Sequence, residues 1–197
     1  MTQSLINTTG LTEDQTMMRE GVLDLLSRHL PWDKIRQLDE TRGFPHEAYN
    51  ALAEAGYIGL FYPEELGGMG GSYKDIAVFL ETLGYYYTGI AQAITTSGVY
   101  AGMHIAKFGS PELQQEIVPK IVQGKVKLAL GMSEPGTGSD VAGIKTSAKR
   151  DGDEYVINGS KVWITCAHVA DYIVAIVKTD TQARHNGIST VLVPTNT

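Results

Sequence analysis

The sequence predicts an α+β chain, with an all-helical first part followed by a small antiparallel β-barrel or meander. Three observations carry this. Up to about Lys127, apolar residues recur at helical spacing between Ser/Thr and Pro/Gly end signals. Beyond it, short β-rich runs alternate with tight-turn dipeptides, which argues against a crossover sheet. Between the two lies LALGMSEPGTGSDVAG, Leu128 to Gly143, where an apolar run stops and Gly and Pro crowd around Ser133, Ser139 and Asp140. The predicted division is a helical domain over 1–127 and a β-barrel domain over 128–197.

The elements follow in order. Thr12-Glu13-Asp14-Gln15 has the form of a capping box, in which Thr12 takes an orphan N–H and Gln15 reaches back. Met18, Val22, Leu25 and Leu26 then share one helical face, and Pro31 closes the run. Pro45 is placed to start a helix and Gly56 to stop it, with Ala48, Leu52 and Ala55 on one face. PEELGGMGGSY, Pro63 to Tyr73, is too glycine-rich for regular structure. Ile76, Phe79, Leu80 and Leu83 give an amphipathic helix. Ile90 to Phe108 is weakly polar and fits a helix buried on most sides. Ser110-Pro111-Glu112 opens another helix, which Pro119 should break or kink and Gly124 should end. After Lys127, the Lys149–Asp153 and Asn158-Gly159 segments each predict a hairpin turn. Val162–Thr165, Tyr172–Val177 and Ile188–Val193 predict strands.

Composition narrows the function classes. At 197 residues, 43% hydrophobic and 19% charged, the chain is globular rather than disordered. Its net charge of -6 disfavours nucleic acid as a partner, because phosphate binding needs clustered Lys and Arg. A single cysteine, Cys166, excludes an internal disulfide. The N-terminus has neither a basic nor an apolar leader region, so no signal peptide is expected, and the Asn7-Thr8-Thr9 sequon is read as chance. No apolar run suffices to span a bilayer. The expected compartment is the cytoplasm.

Several motifs have ordinary readings. Gly136-x-Gly138 begins a dinucleotide fingerprint, but Val141 stands at the third glycine position and no helix pattern follows. Ile144 stands where a P-loop needs lysine. His104 and His168 lack a second ligand at metal spacing, and no metal is expected. Cys166 reads as a small packed residue and Tyr85-Tyr86-Tyr87 as helix-end packing. Glu64, Glu65 and Glu134 read as solvated carboxylates. On chemistry alone the glycine loop is either a plain turn or a loop whose backbone approaches a flat ligand, with Trp163 offering an aromatic face.

A resemblance favours the second reading. GMSEPGTGSDVAG, Gly131 to Gly143, resembles the signature of the acyl-CoA dehydrogenase family of flavoproteins, with Thr137 where that signature prefers a smaller residue. YVINGSKVWIT, Tyr155 to Thr165, resembles the family's second block. LTEDQ, FYPEELGGMGG and FGSPELQQEIVPKIVQGK resemble further segments in the family's order, so the likeness runs from about Leu11 onward. It implies FAD as cofactor and an oxidoreductase of fatty acid metabolism. Leu130, Met132 and Ser133 match residues along the isoalloxazine. Gly138 and Ser139 match the pyrophosphate and acyl-CoA side of the loop, which makes Ser139 a substrate-side residue as well. Trp163 and Thr165 match the strand beside the ring, so Trp163 is expected at the flavin and not in an apolar core.

The reaction implied is α,β-dehydrogenation of an acyl-CoA. The family's carboxylate base belongs to a C-terminal helical domain expected to lie outside this sequence, so no catalytic residue is assigned here. The 197-residue chain alone is expected to be inactive. Homotetrameric assembly and an electron-transferring flavoprotein partner are implied as well. The alternatives are an acyl-CoA oxidase or nitroalkane-oxidase-like relative, a dehydrogenase acting on a carrier-protein thioester, and a non-catalytic module that keeps the fold.

Overall fold

The computed structural model describes residues 10–196. The Asn7-Thr8-Thr9 sequon lies outside them. The chain divides into two compact units, 1–94 with 122–124 and 95–121 with 125–197.

The first unit is helical. Its elements are α1 (Glu13–His29), α2 (Trp32–Thr41), α3 (His46–Glu54), two 3-10 turns (Tyr57–Phe61 and Glu64–Leu66), α4 (Tyr73–Tyr86) and α5 (Thr88–Ile94). The Thr12 capping box forms as the sequence predicts: the Thr12 hydroxyl accepts from Gln15 N–H, and Thr12 N–H donates to Gln15 Oε1, both at 3.2 Å. A second box, Ser72-x-x-Asp75, starts α4. The two boxes are joined, because Gln15 Nε2 donates to Asp75 Oδ1 at 2.7 Å. Helix starts that pack against each other thus share one carboxylate. Behind them, Val22, Leu26, Tyr49, Leu52, Ile58, Phe79 and Leu83 are fully buried. Each such aliphatic or aromatic side chain contributes about 1.5–3 kcal/mol of burial.

The second unit begins with a π-helix (Thr95–Gly102), then α6 (Met103–Phe108) and α7 (Pro111–Val122). Pro119 does not break α7, which continues to Val122. The carbonyl that loses its partner belongs to exposed Gln115, where water can replace the bond. The strands are β1 (Leu128–Gly131), β2 (Ser147–Asp151), β3 (Glu154–Asn158), β4 (Tyr172–Lys178) and β5 (Ile188–Pro194).

They form one mixed, open sheet, not the closed antiparallel barrel expected. β4 is central: β5 pairs antiparallel along its whole length, while β1 pairs parallel with Tyr172–Ala175 and β2 meets it parallel at Lys178. The reason is that tight turns fix only strands adjacent in sequence. They correctly give the antiparallel β2–β3 pair, whereas β5 returns to β4 only after the 179–187 connection and β1 finds β4 across forty residues of intervening chain. Ala148, Ala175 and Val177 form the core of the sheet, with Ile157, Ile173, Val191 and Val193 packed against it.

Two further expectations are corrected. The β2–β3 turn is at Gly152-Asp153, with φ +63° at Gly152, but Asn158-Gly159 makes no hairpin. Gly159 instead lets the chain pass against Thr146, where a Cβ would collide. Val162–Thr165 is not a strand, because the chain there leaves the ladder and forms a loop.

Replacing Asp75 with alanine removes the reciprocal half of the α4 capping box, in which the Asp75 carboxylate accepts from the Ser72 N–H and hydroxyl, together with the bond from Gln15. The expected loss is about 1–2 kcal/mol, read as a lower urea midpoint at unchanged m-value.

Candidate functional site

The site is assembled around the end of β1. Ser97 of the π-helix accepts the Leu128 N–H at 3.0 Å and so fixes where the strand begins. Four residues later the chain leaves the ladder through Met132 and Ser133. Val162 N–H donates to the Ser133 carbonyl at 2.9 Å, which draws the 159–169 loop to this point.

A buried ion pair locks the junction. Glu134 and Lys161 meet at 2.8 Å with side chains only 6% and 13% exposed. Glu134 also accepts the N–H groups of Lys145 (2.6 Å) and Thr146 (3.0 Å), and Lys161 also donates to the Met132 carbonyl at 3.1 Å. Burial alone would raise the Glu134 pKa. The Lys161 ammonium and the backbone donors outweigh it and bring the carboxyl down to about 2. Glu134 is therefore not the solvated carboxylate that the sequence suggested. Its signal was present in the pattern, as an acid at a strand end with a lysine in the second block, but only the fold brings the two together.

The locked loop carries local strain. Trp163 and Cys166 both have positive φ, +58° and +61°, at a cost of roughly 1–3 kcal/mol each for non-glycine residues. The Trp163 side chain is 91% exposed. It stands over a cleft of about 150 Å³ formed with Leu130, Met132 and Ser133 from β1 and its exit, and with Ile164 and Thr165 from the loop. Thr96 and Tyr100 of the π-helix complete the lining. The Thr96 hydroxyl is buried and has no hydrogen-bond partner. A volume of this size is smaller than the roughly 300–1,000 Å³ of a whole ligand pocket. Of the residues singled out in the sequence, Leu130, Met132, Ser133, Trp163 and Thr165 meet here. Gly138 and Ser139 lie on the exposed loop beyond and do not line the cleft. Thr96 and Tyr100 were not singled out; they fall in the weakly polar 90–108 segment read as a buried helix.

The glycine loop itself opens with a tight turn, in which Glu134 and Thr137 exchange backbone bonds of 3.0 and 3.1 Å. Neither Gly136 nor Gly138 has positive φ, and a Cβ on either would touch nothing within 4 Å. Neither turn geometry nor internal crowding therefore requires glycine at these positions.

Comparison with known proteins decides the family. The model for the acyl-CoA dehydrogenase N-terminal domain matches residues 12–125, and the model for the acyl-CoA dehydrogenase middle domain matches residues 129–197. The chain belongs to the acyl-CoA dehydrogenase family. Its members are FAD-dependent oxidoreductases. The probable acyl-CoA dehydrogenase YngJ of Bacillus subtilis is 35% identical over 190 residues, which is 95% of this chain and 49% of that protein. The caffeyl-CoA reductase-Etf complex subunit CarC of Acetobacterium woodii is 32% identical over 92% of this chain and 48% of its own length. The crystal structure of acyl-CoA dehydrogenase from Geobacillus kaustophilus superposes with a TM-score of 0.82 at 32% identity, covering 97% of this chain and 50% of that one. The chain thus spans about half the length of the relatives it matches.

The ion pair generates a pH prediction. The folded-state pKa of Glu134 lies below the unfolded value of about 4.3, so its contribution is complete above that value and is lost as pH falls toward 2. Glu134→Gln leaves the Lys161 ammonium buried without a counter-charge, with an expected cost of roughly 3 kcal/mol at pH 7. Urea unfolding of both proteins between pH 7 and pH 2.5 should show this deficit shrinking below about pH 4, as the wild-type carboxylate is itself neutralised.

Proposed function

We propose that the protein containing this chain catalyses the FAD-dependent α,β-dehydrogenation of an acyl-CoA thioester. The observation that carries the reading is the cleft beneath Trp163, which gathers an exposed indole, apolar side chains and hydroxyls on one open wall. These residues fit a flavin. Leu130 and Met132 offer an apolar surface to a flat ring, and Trp163 offers an aromatic face or edge. The hydroxyls of Ser133 and Thr165 are donors for the polar edge. On the same reading, Gly138 and Ser139 lie toward the pyrophosphate and the acyl-CoA. The absence of side chains at Gly136 and Gly138 lets backbone N–H groups approach an anionic ligand there.

Bound FAD supplies hydride acceptance from Cβ of the acyl group. The chain's own contribution is orientation and charge, since fixed O–H and N–H donors favour negative charge on the polar edge they face. No carboxylate or imidazole lines the cleft, so we assign removal of the Cα proton to a part of the protein outside this sequence. A functional division near residue 127, cytoplasmic residence, homo-oligomeric assembly and an electron-transferring flavoprotein as acceptor belong to the same reading. The name of the CarC relative, a subunit of an Etf complex, supports the last of these. Among the described residues no helix is long and apolar enough to cross a membrane.

Two outcomes are expected. In the intact protein, FAD should change the tryptophan emission, and Trp163→Phe should abolish most of that change. Within this sequence Trp32 is the only other tryptophan, and an undiminished response in the variant rejects the placement. The isolated chain should bind FAD weakly and should not bleach flavin anaerobically with acyl-CoAs, because lack of a positioned base alone costs roughly 10²–10⁴-fold in rate. Tight binding with substrate bleaching by the chain alone would refute the division of labour. Reoxidation of the reduced intact protein by air, rather than by an electron-transferring flavoprotein, would make it an oxidase.

A further inference from the structure

The orphaned hydroxyl of Thr96 has no place in the chain's own packing. A buried threonine in a helix ordinarily returns its proton to the preceding turn. Thr82 of α4 does this, donating to the Val78 carbonyl at 2.7 Å. Ser97, the neighbour of Thr96, accepts the Leu128 N–H at 3.0 Å. Thr96 is only 2% exposed, yet its Oγ1 has no partner. It sits in the π-helical segment, a distortion that often marks functional positions, and it lines the cleft under Trp163. A buried polar atom left unpaired destabilises the unliganded protein, and so it calls for a partner supplied from outside the chain.

We propose that the Thr96 hydroxyl is a ligand-binding group of this cleft, donating a hydrogen bond to an acceptor oxygen or nitrogen of the flavin ring or of the acyl thioester beside it. The inference rests on the flavin reading of the cleft. It names a residue of the π-helix as part of the binding wall, in addition to those of the glycine loop and the Trp163 loop. Threonine and valine are nearly isosteric, so the hydroxyl can be removed with little change of shape.

The test uses the intact protein, stripped of flavin and reconstituted, as wild type, Thr96→Val and Thr96→Ser. Three quantities are read: the thermal midpoint of the flavin-free form, the FAD affinity by fluorescence titration, and acyl-CoA binding by its perturbation of the flavin spectrum. Thr96→Val should raise the flavin-free midpoint by about 2 °C, since it removes an unsatisfied polar group. It should also weaken one ligand by roughly tenfold, and Thr96→Ser should restore that affinity. Loss in the FAD titration assigns the acceptor to the flavin, and loss confined to the acyl-CoA titration assigns it to the thioester. Unchanged affinities for both ligands overturn the proposal, whatever the midpoint does. So does a loss that serine fails to rescue, because the methyl contact and not the hydroxyl would then be responsible. If the wild type binds no FAD, the flavin reading falls and this inference falls with it.

Discussion

The buried pair of Glu134 and Lys161 holds the candidate site together. Three separate stretches of chain converge on it: the exit from β1 into the glycine loop, through the Met132 carbonyl and Glu134 itself, the approach to β2 through Lys145 and Thr146, and the Trp163 loop through Lys161. Two opposite charges out of water are costly unless every remaining lone pair and proton is used. Here the carboxylate takes three donors and the ammonium two acceptors, so the pair is nearly saturated. That saturation gives a short, irregular region a single geometry without the help of a regular ladder.

Such a clamp explains how strained backbone persists beside it. Trp163 and Cys166 hold positive φ in a loop that has left the sheet, and the indole projects into solvent rather than into a core. Strained backbone persists only where its surroundings hold it. Lys161 is tied to Glu134, and Val162 to the Ser133 carbonyl, immediately before Trp163. The same bonds hold the loop at the β1 exit, where the cleft lies. In the first unit, the linked capping boxes of α1 and α4 serve an analogous purpose with weaker forces, setting two helix starts by one shared carboxylate.

Family membership and structure speak to different questions. The matched models and relatives establish the family and show that the chain spans about half the length of those relatives. The geometry adds what a family match does not contain. It separates the residues gathered in one cleft from those on the loop outside it, and it identifies polar atoms that the chain leaves unsatisfied. The wall presents hydroxyls, a phenol, a thioether and an indole, with no carboxylate or imidazole among its lining residues.

The sequence by itself determined much of what depends on near neighbours. The Thr12 box, the α4 periodicity, the end of the first helix before Pro31, and the antiparallel β2–β3 pair all follow from residues within a few positions of one another. The signature blocks also pointed to Leu130, Met132, Ser133, Trp163 and Thr165, which the fold then brings to one cleft. Whatever depends on distant residues was decided only in three dimensions. The parallel pairing of β1 with β4, the use of Gly159 for close approach instead of a hairpin, and the loop in place of a strand at Trp163 are of this kind. Burial of Glu134 is another, because nothing local to an acid in a glycine loop reveals a lysine arriving from twenty-seven residues away. The physical reason is common to all of them. Turn and helix propensities act through the backbone over a few residues, whereas desolvation, charge pairing and steric exclusion act through space and take their partners from wherever the fold delivers them.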